Sequence, residues 1–245
     1  MCTVVYLATP GLLSKNRDKE VVTAEEVVNT GDYLAVRSVG DSYFSLGINK
    51  HGVAFVSTAV NSPEWTRLVE EGEAEKAIEV FAEERKGQTS PTKMISSAFA
   101  DIKSLDECVE LLKGSDNLLM GYNVVLADQD RAMVVETFKD QRHPFDLKPR
   151  DVVTNHFRTL QHGAKTFDEY PSSFERFDYI SQYLNDMGSV EDLAGVVHPE
   201  PGSERAKQIW RKGTFSTVSS SVIDLKVKQI RYTNAVGTDY TVHSL

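Results

Sequence analysis

Cysteines, clustered histidines and phosphate-binding loops are scarce or absent in this sequence. Its 245 residues include two cysteines, Cys2 and Cys108, which argues against a disulfide framework and suits a reducing cytoplasm. The six histidines are scattered without the spacing of metal ligands, and neither a Gly-rich phosphate loop nor a Gly-x-Ser-x-Gly turn is present. We therefore expect no metal and no cofactor.

Basic clusters and long apolar runs are also missing. The chain has 27 Lys and Arg against 36 Asp and Glu, a formal net charge of −9, and no basic block stands out. This balance argues against nucleic acid or an anionic membrane as a main partner. No apolar stretch has the length to span a bilayer, and the short run Val4–Leu7 lacks the basic flank of a signal peptide. We expect a cytoplasmic protein.

The remaining pattern is that of a globular protein, with 40% hydrophobic residues and 15 glycines. Apolar runs between turn residues predict strands at 3–8, 32–38, 43–48, 53–60, 122–127, 132–138, 152–154, 214–223 and 227–232. Helical stretches are predicted after Ser62-Pro63, after Ser90-Pro91, at the capping box 104–107, over 174–184 and after Ser189. This order predicts a single α+β domain over residues 1–245, with two antiparallel sheets between helical layers.

Two helical patterns carry predictions about burial. The first stretch has apolar residues at helical spacing, and its charges from Glu70 to Glu84 are expected to form a solvated face. Its predicted apolar positions are Trp65, Leu68, Val69, Ala74, Ala77, Ile78 and Phe81. Cys108 lies on the apolar stripe of the third helix, so we expect a buried structural thiol there.

The reactive chemistry of the chain centres on Met1-Cys2-Thr3. Removal of Met1, which a small second residue permits, leaves Cys2 with a free α-amine. A cysteine thiol has a pKa of about 8.5 and an α-amine has one of about 7.7–8.0, so a proton passes between them at little cost near neutral pH. Such a residue supplies both the nucleophile and its base. Many chains begin with Met-Cys by chance, so the hypothesis depends on residues farther along.

Those residues occur in a series of short motifs. They are Lys15-Asn16-Arg17-Asp18, Gly47–Val53, Val60-Asn61, Thr154-Asn155-His156-Phe157, Ser172–Phe177 and Thr217–Val222. Together with Met1-Cys2-Thr3, they resemble a cysteine N-terminal-nucleophile (Ntn) hydrolase over nearly the whole chain. By pattern, the sequence is similar to the penicillin V acylase and bile salt hydrolase group and to the isopenicillin N acyltransferase-like group. The resemblance implies a four-layer αββα sandwich.

The resemblance also implies roles for individual residues. Cys2 is the nucleophile, its freed amine is the base, and Asp18 holds that amine or the thiol. The backbone N–H of Asn61 and the side-chain amide of Asn155 form an oxyanion hole, which needs two preorganised donors. Arg176 belongs to the hydrogen-bonded network around Cys2, where its charge favours the thiolate. Taken singly, Asn155 is typical of a turn, Asp18 of a polar loop and Arg176 of a surface ion pair.

The segment from Lys15 to Asp18 contains one departure from the family pattern and one further resemblance. Lys15 stands where the bile salt hydrolase group has arginine; it keeps the charge but loses the bidentate fork. Asn16-Arg17-Asp18 also resembles the Asn-Arg-Asp-Glu family, a branch with the same start. Lys15 and Arg17 are therefore further candidates for catalytic residues.

The function predicted from these residues is a cofactor-free hydrolase of a linear, non-peptide amide. It acts through an acyl-thioester on Cys2 and becomes an acyltransferase if an amine outcompetes water. The alternative is a non-catalytic carrier of small molecules on the same scaffold. We expect a small-molecule acyl amide as partner, a homo-oligomer, and an apolar, partly aromatic acyl pocket that includes Trp65 and the run from Phe138 to Phe145.

Overall fold

The computed structural model describes residues 2–19, 24–199, 203–204, 209, 216–234 and 239–245. Met1 and residues 214–215, the start of one predicted strand, lie outside this part of the chain. Its strands are β1 Cys2–Leu7, β2 Leu12–Lys19, β3 Glu25–Asn29, β4 Tyr33–Ser38, β5 Leu46–Asn49, β6 Ala54–Ala59, β7 Gln88–Thr89, β8 Leu118–Ala127, β9 Ala132–Lys139, β10 Gln141–Asp146, β11 Arg150–Val153, β12 Ser216–Asp224, β13 Gln229–Thr233 and β14 Thr241–Ser244. Its helices are α1 Pro63–Glu70, α2 Ala74–Glu84, α3 Pro91–Ala98, α4 Leu105–Lys113, α5 Pro171–Ser181 and α6 Val190–Val197.

The first sheet places Cys2 beside β2. Its six strands are antiparallel in the order β11-β1-β2-β12-β13-β14. Cys2 lies opposite Arg17 across the β1–β2 pair, and Asp18 lies opposite Thr217 across the β2–β12 pair. The strand that begins with Cys2 is therefore flanked on both sides by strands that carry or precede predicted site residues.

The second sheet contains the hairpins predicted in the middle of the chain. Its path is β10-β9-β8-β6-β5-β4-β3, antiparallel throughout, and the short strand β7 pairs with β8 in parallel. The predicted strands at 53–60, 122–127 and 132–138 are β6, β8 and β9, which are adjacent in this sheet. Their near-continuous apolar sequences fit a sheet that is covered on both faces.

Three apolar clusters define four layers. Between the two sheets lie buried side chains of both, among them Val4, Leu13, Val36, Ile48, Val56, Val125 and Val134. Helices α5 and α6 pack on the outer face of the first sheet through Ile180, Leu193, Val196 and Val197. Helices α3 and α4 pack on the outer face of the second through Ile95, Leu105, Cys108 and Leu112. The order helix, sheet, sheet, helix is the predicted αββα architecture.

Helix starts follow the sequence signals, with one break that the sequence did not predict. Ser62 caps α1 by accepting a hydrogen bond from the Trp65 N–H at 3.1 Å, with Pro63 in the first helical turn. The predicted stretch 65–81 is divided between α1 and α2 at Gly72, whose φ of 79° favours glycine. Ile78 is 56% exposed on α2, so its predicted place on an apolar stripe was wrong.

The sequence analysis did not predict five of the described strands: β2, β3, β7, β10 and β14. The reason is clearest in β2, whose sequence is mostly polar. β2 has the sequence LLSKNRDK, yet nearly all of it is buried between β1 and β12. Its polar side chains find distant partners; Asn16, for example, donates to the Val197 carbonyl at 2.5 Å. β3 lies at the edge of the second sheet. In the described part of the chain, no helix has the length and hydropathy needed to cross a membrane.

Candidate active site

Cys2 lies at an open cleft of about 280 Å³ between β1, β2 and the helical pair α1–α2. The residue is 8% exposed, and Lys15, Arg17 and Asp18 of β2 line the cleft beside it. The opposite side includes Trp65 and other residues of the helical pair and of β8, namely Phe81, Arg85 and Tyr122. A partly accessible thiol in a polar and aromatic cleft has the setting of a nucleophile.

Asn155 and Arg176 hold the backbone of Cys2 at both ends. The Cys2 nitrogen donates to Asn155 Oδ1 at 2.8 Å, and Arg176 Nη2 donates to the same oxygen at 3.1 Å. Arg176 Nη1 donates to the Cys2 carbonyl at 3.0 Å and to Thr3 Oγ1 at 2.9 Å. Asn155 and Arg176 are each 1% exposed and lie behind Cys2, outside the lining of the cleft. Their contacts fix the position of the nitrogen that carries the proposed base.

Asp18 supplies the negative charge of this network. Its Oδ1 accepts a hydrogen bond from Thr217 Oγ1 at 2.6 Å, and its Oδ2 lies 3.5 Å from Arg176 Nη1. Both charged side chains are at most 2% exposed. A buried guanidinium needs such a counter-charge, because leaving it unpaired costs several kcal/mol. The structure therefore places Asp18 on a buried strand and not in the polar loop that is typical of an isolated aspartate.

Helix α5 positions Asn155 through two of its side chains. Ser173 and Arg176 are three residues apart and so share one face of α5. Ser173 Oγ accepts from the Asn155 backbone N–H at 3.0 Å, while Arg176 contacts the side-chain oxygen. The amide nitrogen of Asn155 donates to the Ala59 carbonyl at 2.7 Å. An amide group has two N–H hydrogens, so one remains for a further acceptor.

Asn61 lies in the lining of the cleft, directly after β6 and its following residue Val60. Its side-chain oxygen accepts a hydrogen bond from Arg85 Nη2 at 3.0 Å. Its backbone N–H donates no hydrogen bond to any other residue that the structure describes. A backbone donor that is mostly buried and has this freedom can bind an oxyanion.

Lys15 and Arg17, the two further candidates, both line the cleft but have different partners. Lys15 is 3% exposed, and its Nζ donates to Ser45 Oγ at 2.9 Å and to the Ser45 carbonyl at 3.3 Å. Burial lowers the pKa of the Lys15 ammonium to about 8. Arg17 forms an ion pair with the buried carboxylate of Glu25. Lys15 is thus more readily deprotonated than an exposed lysine.

The aromatic part of the cleft differs from the predicted pocket. Trp65 lines the cleft, with its ring centroid 6.3 Å from that of Phe81. Phe138 does not line it; this residue stacks on His162 and packs against Val60, while Phe145 packs against the core between the sheets. The prediction that the run from Phe138 to Phe145 forms part of the acyl pocket was therefore wrong.

Arg85 is one of several cleft residues that the sequence analysis did not assign to the site; Lys19, Tyr43 and Tyr122 are others. Arg85 follows α2 directly, and its guanidinium carbon lies 3.6 Å from the centroid of the Phe81 ring. The spacing Phe81 to Arg85 is i to i+4, which brings two side chains together on a helix. This spacing could have indicated the contact between Phe81 and Arg85 from the sequence alone. It was overlooked because Arg85 adjoins a run of charged residues, which is typical of a solvated helix face.

Comparison with solved structures shows which known fold this chain has. The fold is that of the Ntn hydrolases. The conjugated bile acid hydrolase from Clostridium perfringens, solved as its C2A mutant, has a TM-score of 0.56 and 14% identity, covering 100% of this chain and 92% of that one. Penicillin V acylase from Agrobacterium tumefaciens has a TM-score of 0.53 and 14% identity, covering 100% and 86%. The Caenorhabditis elegans ortholog of N-acylethanolamine-hydrolyzing acid amidase has a TM-score of 0.56 and 10% identity, covering 92% and 93%.

A match to a family model identifies the family within this fold. The model of acyl-coenzyme A:6-aminopenicillanic acid acyl-transferase matches residues 44–236, which is most of the chain. The chain therefore belongs to that family. A search of curated protein sequences finds no match.

Proposed function

We propose that this protein is an amidohydrolase in which Cys2, freed of Met1, attacks a linear, non-peptide amide. The observation that supports this most directly is the network around Cys2. Asn155 and Arg176 bind its nitrogen and carbonyl, while its side chain lies at the cleft. A scaffold that fixes the backbone of one cysteine from both ends suits a residue that acts as nucleophile and base together.

The first step is proton transfer within Cys2. Loss of Met1 converts the Cys2 nitrogen from an amide into an α-amine. Asn155 Oδ1, which accepts a hydrogen bond from this nitrogen at 2.8 Å, then holds one of the amine's hydrogens. This leaves the lone pair of the neutral amine to take the thiol proton. The charge of Arg176 favours the resulting thiolate, and Asp18 balances that charge.

The second step is formation and collapse of a tetrahedral intermediate. The thiolate attacks the substrate carbonyl, and the oxyanion is bound by the Asn61 N–H and by the remaining N–H of the Asn155 amide. As the C–N bond breaks, the α-ammonium returns its proton to the leaving amine, and the acyl group stays on Cys2 as a thioester. Water then attacks the thioester and releases the acid. An amine in place of water gives acyl transfer, the reaction for which the family is named.

The acyl-thioester provides the test of this function. A panel of N-acyl amides and reactive esters is mixed with the protein, quenched in acid and analysed by intact mass. We expect a protein without Met1 and an acyl adduct on Cys2, with Cys108 as internal control. The adduct and turnover are absent from Cys2→Ala.

Two outcomes would contradict the proposal. Full activity in protein that retains Met1 would exclude the N-terminal mechanism. Ligand binding with no adduct from any donor, or equal labelling of Cys108, would favour the non-catalytic carrier.

A further inference from the structure

Two positive charges at the cleft form no ion pair with a carboxylate among the residues that the structure describes. In the described part of the chain, the Lys15 ammonium donates to the hydroxyl and carbonyl of Ser45, and the Arg85 guanidinium contacts Asn61 and the Phe81 ring. Neither contacts a carboxylate there. Because a cation withdrawn from water without a counter-ion is unfavourable, both positions are improved by the arrival of an anion.

Arg85 is held in an orientation that suits a carboxylate. Its guanidinium stacks at 3.6 Å over Phe81 and lies 5.9 Å from the centroid of Tyr122, while one nitrogen donates to Asn61 Oδ1. Stacking on an aromatic face fixes the plane of a guanidinium and leaves its edge free to donate. A guanidinium carries five N–H donors in a fork that matches the two oxygens of a carboxylate.

The rest of the cleft strengthens this preference. β2 contributes three cationic side chains to the lining, Lys15, Arg17 and Lys19. Among the carboxylates near them, Glu25 pairs with Arg17, Asp18 pairs with Arg176, and Asp41 lies near Lys19. The cleft is therefore positively charged in a chain whose formal net charge is −9. A cleft lined by one sign of charge concentrates ligands of the opposite sign.

We propose that Arg85 is a substrate-binding residue that holds a carboxylate of the substrate, so that the cleft selects anionic acyl amides over neutral ones. The amide part of this inference rests on the proposed function, whereas the anion part rests on the contacts of Arg85 and Lys15. Because Arg85 also contacts Asn61, the carboxylate subsite adjoins a proposed oxyanion donor. Binding of the substrate carboxylate would therefore also fix the position of the reacting carbonyl relative to the oxyanion donor.

Binding to the Cys2→Ala protein tests the inference without any chemical step. Isothermal titration compares three probes of similar size: N-hexanoylglycine, with its carboxylate on the amine part; the mono-glycinamide of adipic acid, with its carboxylate on the acyl part; and neutral N-hexanoylglycinamide. Each is measured with and without Arg85→Gln. Arg67→Gln on α1 is the matched control, since it removes the same charge from an exposed ion pair with Glu71.

We expect at least one ionised probe to bind about 10- to 100-fold more tightly than the neutral probe, the range for hydrogen bonds between charged groups. Arg85→Gln should abolish this difference and leave the neutral probe within about twofold, while Arg67→Gln should preserve it. The favoured ionised probe then identifies which half of the substrate carries the charge.

Several results would overturn the proposal. The unmodified cleft could bind all three probes equally, or bind none of them at millimolar concentration. The preference for an ionised probe could also survive Arg85→Gln. Finally, Arg85→Gln could weaken the binding of every probe equally, which would make Arg85 a positioning residue for Asn61. Turnover by the unmodified protein separates this failure from failure of the proposed function. Amide cleavage without a charge preference refutes the anion site alone, and anion binding without cleavage of any amide refutes the function alone.

Discussion

The exchange Asn155→Asp separates the two tasks assigned to Asn155. Asparagine and aspartate have nearly the same size and shape, so the oxygen that accepts from the Cys2 nitrogen at 2.8 Å and from Arg176 at 3.1 Å is retained. The exchange removes the amide donor, which contacts the Ala59 carbonyl at 2.7 Å and, in the proposed mechanism, gives its second hydrogen to the oxyanion. An oxygen then faces the Ala59 carbonyl and the developing negative charge.

The expected effects follow from these contacts. Loss of one oxyanion donor slows the chemical step by roughly 100- to 1000-fold, or about 2.7–4 kcal/mol. The lost hydrogen bond to a buried carbonyl destabilises the fold by about 1–3 kcal/mol, partly offset by attraction between the new carboxylate and Arg176. Asn155→Ala, which removes acceptor and donor together, should slow acylation at least as much. The folded population of Asn155→Asp should therefore remain large enough for kinetics.

The assay is the single-turnover rate of acylation, measured by acid quench and intact mass at saturating substrate. Asn185→Asp, at an exposed turn after α5, is the matched control and should acylate at the rate of the unmodified protein. If Asn155→Asp acylates within about threefold of that rate while Asn155→Ala is 100-fold slower, Asn155 orients the amine and is not an oxyanion donor. If neither exchange slows acylation in folded protein, Asn155 has no part in the reaction.

Three further predictions concern single side chains. Burial lowers the Lys15 pKa to about 8, so if the reaction needs the positive charge of Lys15, its rate should fall above that pH. The contribution of Lys15 to fold stability should instead rise between that pH and the ordinary lysine pKa of about 10.4, because the unfolded chain binds the proton more tightly there. In a pH–rate profile, Lys15→Arg should remove the loss of activity at alkaline pH. Glu136 is fully buried and accepts hydrogen bonds from the backbone N–H groups of residues 158–160. Urea titration should therefore show that Glu136→Gln lowers the free energy of unfolding by about 1–3 kcal/mol. Glu110→Gln, at an exposed position, is the control and should lower it by less than about 0.5 kcal/mol. Burial raises the Cys108 pKa to about 12, so iodoacetamide at pH 8 should label Cys108 only after unfolding; labelling in the native state would contradict its assignment as a structural thiol.

Sequence patterns were sufficient where residues interact with near neighbours along the chain. Ser62 and Pro63 predict the start of α1, and the apolar runs on either side of the turn at 128–131 predict the β8–β9 hairpin. The helical stripe that contains Cys108 predicts its burial. Caps, turns and amphipathic periodicity act over a few residues, so a sequence displays them directly. The motif resemblance added the candidate site residues and predicted the layered fold.

The tertiary structure alone decided how those residues meet. β2 reads as a polar loop because the partners that satisfy its side chains, such as Val197 and Thr217, belong to other segments. In the sequence, Arg85 resembles the other charged residues of a solvated helix. Only the position of α2 beside the cleft shows that Arg85 lines it. Cys2 and Asn155 are separated by 153 residues along the chain, yet they are joined by one hydrogen bond. Such contacts depend on how two sheets and their helices pack, and packing between distant segments is not specified by any local pattern.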